Sequence, residues 1–258
     1  LIAPIAELLE RQAARFPNKV GYRDDARSIT WAGLEEATRN LATQLRANGF
    51  APGDTAGIWM PNGVDWVIAC LSIVRAGGTA VPIPWDSSQS EALYRLDDAE
   101  CTFAFAVGER VAALERIAAQ SGVAPRLVVR GAARPGGALD FAALLAAPAA
   151  GVALAPDDIE GCSYIVYTSG TTGRPKGVRL SSRALLWATA ACWTPILGYE
   201  AEDVVLSPLP LFHSYALTIA VLSPLATGAT VQVMERFSTK RALELLRTGD
   251  FTLMPGVP

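Results

Sequence analysis

Residues 167–178 read YTSGTTGRPKGV. From Thr168 to Gly177 the stretch places three glycines and four hydroxyl side chains in ten positions. Glycines let backbone N–H groups crowd around an anion and reach conformations that a Cβ would forbid. Thr168, Ser169, Thr171 and Thr172 add neutral donors, and Lys176 adds a point charge suited to a polyphosphate. The chemistry this favours is a grip on phosphate oxygens. Composition alone also allows an exposed hairpin turn, because Gly, Ser and Thr are ordinary turn residues and Arg174-Pro175 is itself turn-like. The stretch fits neither the GxxxxGKS/T phosphate loop nor the GxGxxG dinucleotide fingerprint.

The flanking segments supply a setting. Ser163 to Tyr167 is strand-like, and Val178 to Leu180 is a second apolar stretch. Upstream, apolar spacing of three and four predicts helices over Leu34 to Leu45, Val64 to Arg75, Glu91 to Leu96 and Val111 to Ala119. Between them lie short strand-like runs at Thr55 to Met60, Thr79 to Ile83, Cys101 to Val107 and Leu127 to Val129. This alternation predicts an α/β fold with doubly wound, mostly parallel sheets. Downstream, Ser181 is placed to cap a helix running through Cys192. Strands are expected at Val204 to Ser207, Thr230 to Met234 and Phe251 to Met254, with helices at Tyr215 to Leu225 and Thr239 to Arg247. Residues 131–160 turn rich in Ala, Pro and Gly. They suggest a connector between a first subdomain, 1–130, and the start of a second, 161–258.

Composition removes several function classes. With 51% hydrophobic and 18% charged residues the chain is a well-packed globular protein, not a disordered one. A net charge of -3 without a basic stripe argues against nucleic acid. Cys70, Cys101, Cys162 and Cys192 are widely spaced and there is a single histidine, so no metal-site motif is present and buried, reduced thiols in a cytoplasmic protein are expected. Residues 204–234 contain no Asp, Glu, Lys or Arg, which raises a membrane span as an alternative. Pro208, Pro210, Pro224 and Gly228 break the stretch into pieces too short for one. Peripheral membrane association is compatible with the high apolar content, but no basic amphipathic helix supports it.

YTSGTTGRPKGV closely resembles the signature of the adenylate-forming (AMP-binding) ligases, most of all the acyl-CoA synthetases. The likeness extends through Ser28-Ile29-Thr30-Trp31, Gly53-Asp54-Thr55, the Pro61-Asn62 turn and Ala76-Gly77-Gly78 before Val81-Pro82-Ile83. The resemblance implies the N-terminal portion of such an enzyme, two stacked αβα subdomains cut before the C-terminal lid. It implies ATP, Mg2+ and coenzyme A as participants and a small-molecule carboxylic acid as substrate. Thr168, Ser169, Gly170, Thr171, Thr172, Gly173 and Lys176 would bind the ATP β- and γ-phosphates, with Lys176 and Thr172 acting in catalysis. The carboxylate attacks the α-phosphate, giving an acyl-adenylate that passes to a thiol.

Pro208-Leu209-Pro210-Leu211-Phe212-His213-Ser214 resembles the family's acyl-pocket turn, with Phe212 and His213 as pocket or gate residues. Adenylation domains for α-amino acids usually carry Asp after that Phe. His213 here, within an acid-free stretch, points to an uncharged fatty or aryl acid, since burying an unpaired ammonium is costly. Trp187, Trp193, Tyr199 and Phe237 are candidates to enlarge the pocket. Two alternatives stand beside coenzyme A ligation: loading of a carrier-protein thiol, and a non-catalytic nucleotide-binding module. No ribose-binding residue, magnesium ligand or lid lysine can be named. The chain stops just after a strand-like run, so these 258 residues alone are expected not to complete adenylation.

Overall fold

The computed structural model describes residues 2–131, 136–149, 151–154, 158–168 and 174–257. In chain order the first elements are α1 (Ile5–Arg15), β1 (Val20–Arg23), β2 (Ser28–Thr30), α2 (Trp31–Ala47), β3 (Thr55–Trp59), α3 (Val64–Arg75) and β4 (Thr79–Pro82). They are followed by α4 (Gln89–Asp98), β5 (Cys101–Val107), α5 (Gly108–Ser121), β6 (Arg126–Arg130), β7 (Leu139–Asp140), α6 (Phe141–Ala146), β8 (Cys162–Thr168) and β9 (Lys176–Ser181). Next come α7 (Ser182–Ala188), a π-helical turn (Thr189–Trp193), α8 (Thr194–Leu197), β10 (Val204–Ser207), α9 (Ser214–Ala216), a second π-helical stretch (Leu217–Leu222), α10 (Ser223–Thr227), β11 (Thr230–Val233) and α11 (Thr239–Thr248).

The chain falls into two compact units. One comprises the residues up to Glu36, Pro61–Ile68 and everything from Ser182 onward; the other comprises Ala37–Met60 and Ala69–Ser181. This division cuts across the expected blocks 1–130, 131–160 and 161–258. The reason is strand pairing at long range: β1 lies beside β11, whereas β8 lies beside β4. The Ala/Pro/Gly-rich stretch is not a linker between units, because its β7 extends the sheet of the second unit by pairing with β6.

That second unit is built on a seven-stranded sheet in the order β7-β6-β5-β3-β4-β8-β9. All its pairings are parallel except β8 with β9, which is antiparallel. The chain steps from β3 to β4 on one side and then returns to β5 on the other, the reversal that defines a doubly wound sheet. Alternation along β5 shows how both faces are covered. Ala104 and Ala106 face a buried cluster with Leu96 of α4 and Leu114 and Ile117 of α5. Phe103 and Phe105 meet Phe50 and Phe141 edge-on, with ring centroids 5.3 and 6.3 Å apart. The small alanines let helices approach one face while four aromatic rings fill the other.

The first unit carries a four-stranded sheet, β10-β11-β1-β2, with β10, β11 and β1 parallel and β2 antiparallel at the edge. The hydroxyl of Tyr22 on β1 donates to the Val221 carbonyl, and α11 buries Ala242 against Leu206 and Met234. The charge-free stretch 204–234 is therefore core: both its strands and Leu217–Leu222 are largely buried. No described helix is long and apolar enough to cross a membrane. Three local expectations are revised. The helix expected to run through Cys192 changes to π pitch at Thr189–Trp193. Leu217–Leu222 takes π pitch inside what spacing suggested was one helix over Tyr215 to Leu225. Phe251 to Met254 is not a strand: only Leu253 bridges to Val205, because the segment touches β10 at a single register point.

Gly78, just before β4, is required by its neighbours. A Cβ there would lie 2.3 Å from Phe50 Cζ and 2.9 Å from the Asp54 carbonyl oxygen. The backbone oxygen cannot yield, and Phe50 is held against Phe103. Gly78→Ala is expected to destabilise the protein by about 1–3 kcal/mol through overpacking, read as a lowered urea midpoint with unchanged m-value.

Candidate functional site

The first constellation lies on β8 and β9. Because β8 runs parallel to β4, it delivers Thr168 to the carboxyl edge of the sheet, where open α/β folds bind their ligands. The chain then returns antiparallel, pairing Tyr167 with Gly177 and Thr168 with Lys176. Ser169, Gly170, Thr171, Thr172 and Gly173 lie outside the described residues. Of the predicted phosphate ligands the structure thus places two, Thr168 and Lys176, directly opposite each other at the stem and both exposed. Opposed residues of an antiparallel pair project to the same side. A hydroxyl and an ammonium therefore stand together there.

Tyr167, one residue earlier, projects to the other side. Its ring lies across Gly177: a Cβ on that glycine would come within 3.2 Å of Tyr167 Cζ and 2.9 Å of Ile165 Cγ2. The Tyr167 hydroxyl donates to Asp98 Oδ2 at 2.6 Å. Burial, and then the Asp98 carboxylate, push its pKa above the usual phenol range, so it stays a donor. Tyr94, one helical turn before Asp98, donates its hydroxyl to the Pro175 carbonyl at 2.9 Å. Arg95 and Arg174 stand over the rings of Tyr167 and Tyr94, each 5.7 Å from the centroid. Helix α4 is started by a reciprocal capping box between Ser88 and Glu91, which also holds the Glu91 carboxyl below its ordinary range through the Ser88 backbone N–H.

The second constellation is in the other unit. Phe212 and His213 have ring centroids 4.3 Å apart, with His213 exposed at the position preceding α9. The segment is fixed from below by Asn62. Its side-chain amide donates to the carbonyls of Leu209 and Met234 at 3.1 and 3.3 Å, while its carbonyl accepts from the Leu211 N–H at 3.0 Å. Trp193 packs edge-on against Tyr215, 5.5 Å between centroids. Tyr199 is core instead, fully buried with its hydroxyl on the Ile219 carbonyl. Trp187 and Phe237 are 61% and 60% exposed.

Sequence reasoning saw Pro61-Asn62 only as a turn and gave Tyr94 and Asp98 no role. An amide in a turn beside an apolar helix was a signal for the first; nothing local marked the others. Among the described residues no group of three or more His, Cys, Asp or Glu is placed to hold a metal ion. The Mg2+ that the resemblance implies thus has no ligand cluster among the described residues. Cys70 and Cys101 are buried, the latter's thiol pushed up to about 12 by burial, while Cys162 and Cys192 are half-buried.

A CoA ligase of Mycobacterium tuberculosis acting on a methyl-dioxo-octahydroindenyl-propanoyl group is 34% identical over 97% of this chain and 50% of its own length. The 4-coumarate:CoA ligase 3 of Oryza sativa subsp. japonica is 33% identical over 90% of this chain and 42% of its own. The crystal structure of a benzoate CoA ligase from Burkholderia xenovorans superimposes with a TM-score of 0.88 at 28% identity, covering 100% of this chain and 50% of that one. The chain thus spans about half the length of the relatives it matches. The AMP-binding enzyme family matches residues 9–258, and the chain belongs to that family.

Proposed function

We propose that the protein to which this chain belongs activates a carboxylic acid with ATP and transfers the acyl group to coenzyme A. The observation that carries the reading is the position of YTSGTTGRPKGV: it leaves the carboxyl end of β8 on a doubly wound sheet, with Thr168 and Lys176 side by side at its stem. In the first half-reaction a carboxylate oxygen attacks the α-phosphorus. The bond to the β-phosphate breaks, pyrophosphate leaves and an acyl-adenylate remains. This chain's own contribution is alignment and charge: donors from Thr168 to Thr172 and the Lys176 ammonium neutralise the departing pyrophosphate. In the second half-reaction the coenzyme A thiol attacks the acyl carbonyl and AMP leaves.

The substrate class we favour is a ring-bearing, uncharged acid. His213 stands where an amino-acid-activating domain would carry Asp, and residues 204–234 offer no carboxylate to a substrate ammonium. The named acids of the relatives above are cyclic or aromatic, which supports the aryl side of this reading over the fatty one. Phe212 and His213 are the pocket residues, and Asn62 keeps their segment in place. The four thiols, none in a disulfide, suit a cytoplasmic protein.

Three measurements on the full-length protein test this. Pyrophosphate release is expected with benzoate- or cinnamate-type acids and, when coenzyme A is added, its thiol is consumed; release with no acid at all would end the reading, and consumption of a carrier-protein thiol instead would redirect it. Lys176→Ala and Thr172→Ala are expected to slow adenylate formation by about 10²-fold and about tenfold, while thioester formation from supplied acyl-adenylate holds. Asn62→Ala removes two hydrogen bonds to Leu209 and Leu211 and a third to Met234, and is expected to raise KM for the acid by about tenfold, with KM for ATP little changed.

A further inference from the structure

We infer that Tyr94 and Asp98 of α4 are positioning residues for the phosphate-binding stretch, setting how the protein distinguishes ATP from AMP. The inference rests on the reading that this stretch holds the β- and γ-phosphates, and deepens it by naming what holds the stretch.

Phosphate recognition by backbone N–H groups is a matter of placement, because donors displaced by about 1 Å lose most of their effect. Two points on one helix grip the two ends of the stretch. Asp98 takes the hydroxyl of Tyr167, immediately before it, and Tyr94 reaches the carbonyl of Pro175, near its close. The rings of Tyr94 and Tyr167 also meet edge-on, 6.1 Å between centroids. Tyr94 and Asp98 are four apart, so the same helical face presents both. The clamp acts on the side of the hairpin to which Tyr167 points, leaving the side of Thr168 and Lys176 open to ligand. Neither Tyr94 nor Asp98 is required to touch nucleotide.

The geometry separates this role from general stability. AMP lacks the β- and γ-phosphates, so a fault confined to the stretch should weaken ATP and spare AMP, whereas a damaged fold weakens both. The test is calorimetric affinity of the full-length protein for ATP and for AMP in wild type, Tyr94→Phe, Asp98→Ala and Asp98→Asn. Tyr94→Phe and Asp98→Ala are expected to raise Kd for ATP by about tenfold and leave Kd for AMP within about twofold. Asp98→Asn, which keeps an acceptor for Tyr167, is expected to restore most of the loss. Equal losses for ATP and AMP, no loss for either, or no rescue by Asn would each overturn the inference. If the ATP-selective loss occurs in a protein that releases pyrophosphate with no acid, the ligase reading falls and the positioning role stands. A wild type that binds neither nucleotide overturns both.

Discussion

An aromatic ring lying across a residue that has no side chain is the contact on which the rest of the site depends. Tyr167 crosses Gly177 inside an antiparallel pair, and the missing Cβ leaves the ring room to lie there while its hydroxyl reaches Asp98. The same pair fixes the register that puts Thr168 opposite Lys176. Polar chemistry on one side of the hairpin is thus tied to aromatic packing on the other. Both follow from a sheet that is parallel as far as β8 and turns back only once, at its edge.

Much of this could be read from residues in order. Apolar runs and helical spacing located β5, α3 and β10 at their observed bounds, because each is an almost wholly buried, apolar segment. The strand expected before the glycine-hydroxyl run is present as β8, and the apolar stretch after it lies in β9. Pairing at long range was not legible. Asp98 and Tyr167 are 69 positions apart, and neither position looks unusual among its neighbours. The boundary between units was misplaced for a similar reason: composition marked residues 131–160 as a break, while β7 inside them extends the sheet of its own unit. The strand expected at Phe251 to Met254 failed because β-type residues give a ladder only where a partner runs alongside, and here one register point is met.

The charge-free stretch from Val204 to Met234 shows how one composition serves different ends. Read as a string it resembles membrane-seeking sequence. In the fold its strands and its π-pitched segment are buried in the core of one unit, while Phe212, His213 and their neighbours come to the surface. Polar atoms in that interior are met locally, as where the Thr218 hydroxyl donates to the Ser214 carbonyl and the Ser223 hydroxyl to the Thr218 carbonyl. Short side chains returning hydrogen bonds to the preceding turn accommodate the widened helical pitch without a charged residue.

The pairing of β1 with β11 has a consequence for how the chain is made. Tyr22 leaves the ribosome about two hundred residues before Val231, its partner across the sheet. At about 5–20 residues per second, β1 and β2 wait on the order of ten seconds or more as a bare two-stranded ribbon, a form with little stability of its own. The second unit, whose strands all lie between Thr55 and Ser181, has every one of its sheet partners in hand well before then. Synthesis therefore favours assembly of the seven-stranded unit first, with the N-terminal ribbon exposed to chaperones until β11 has been translated.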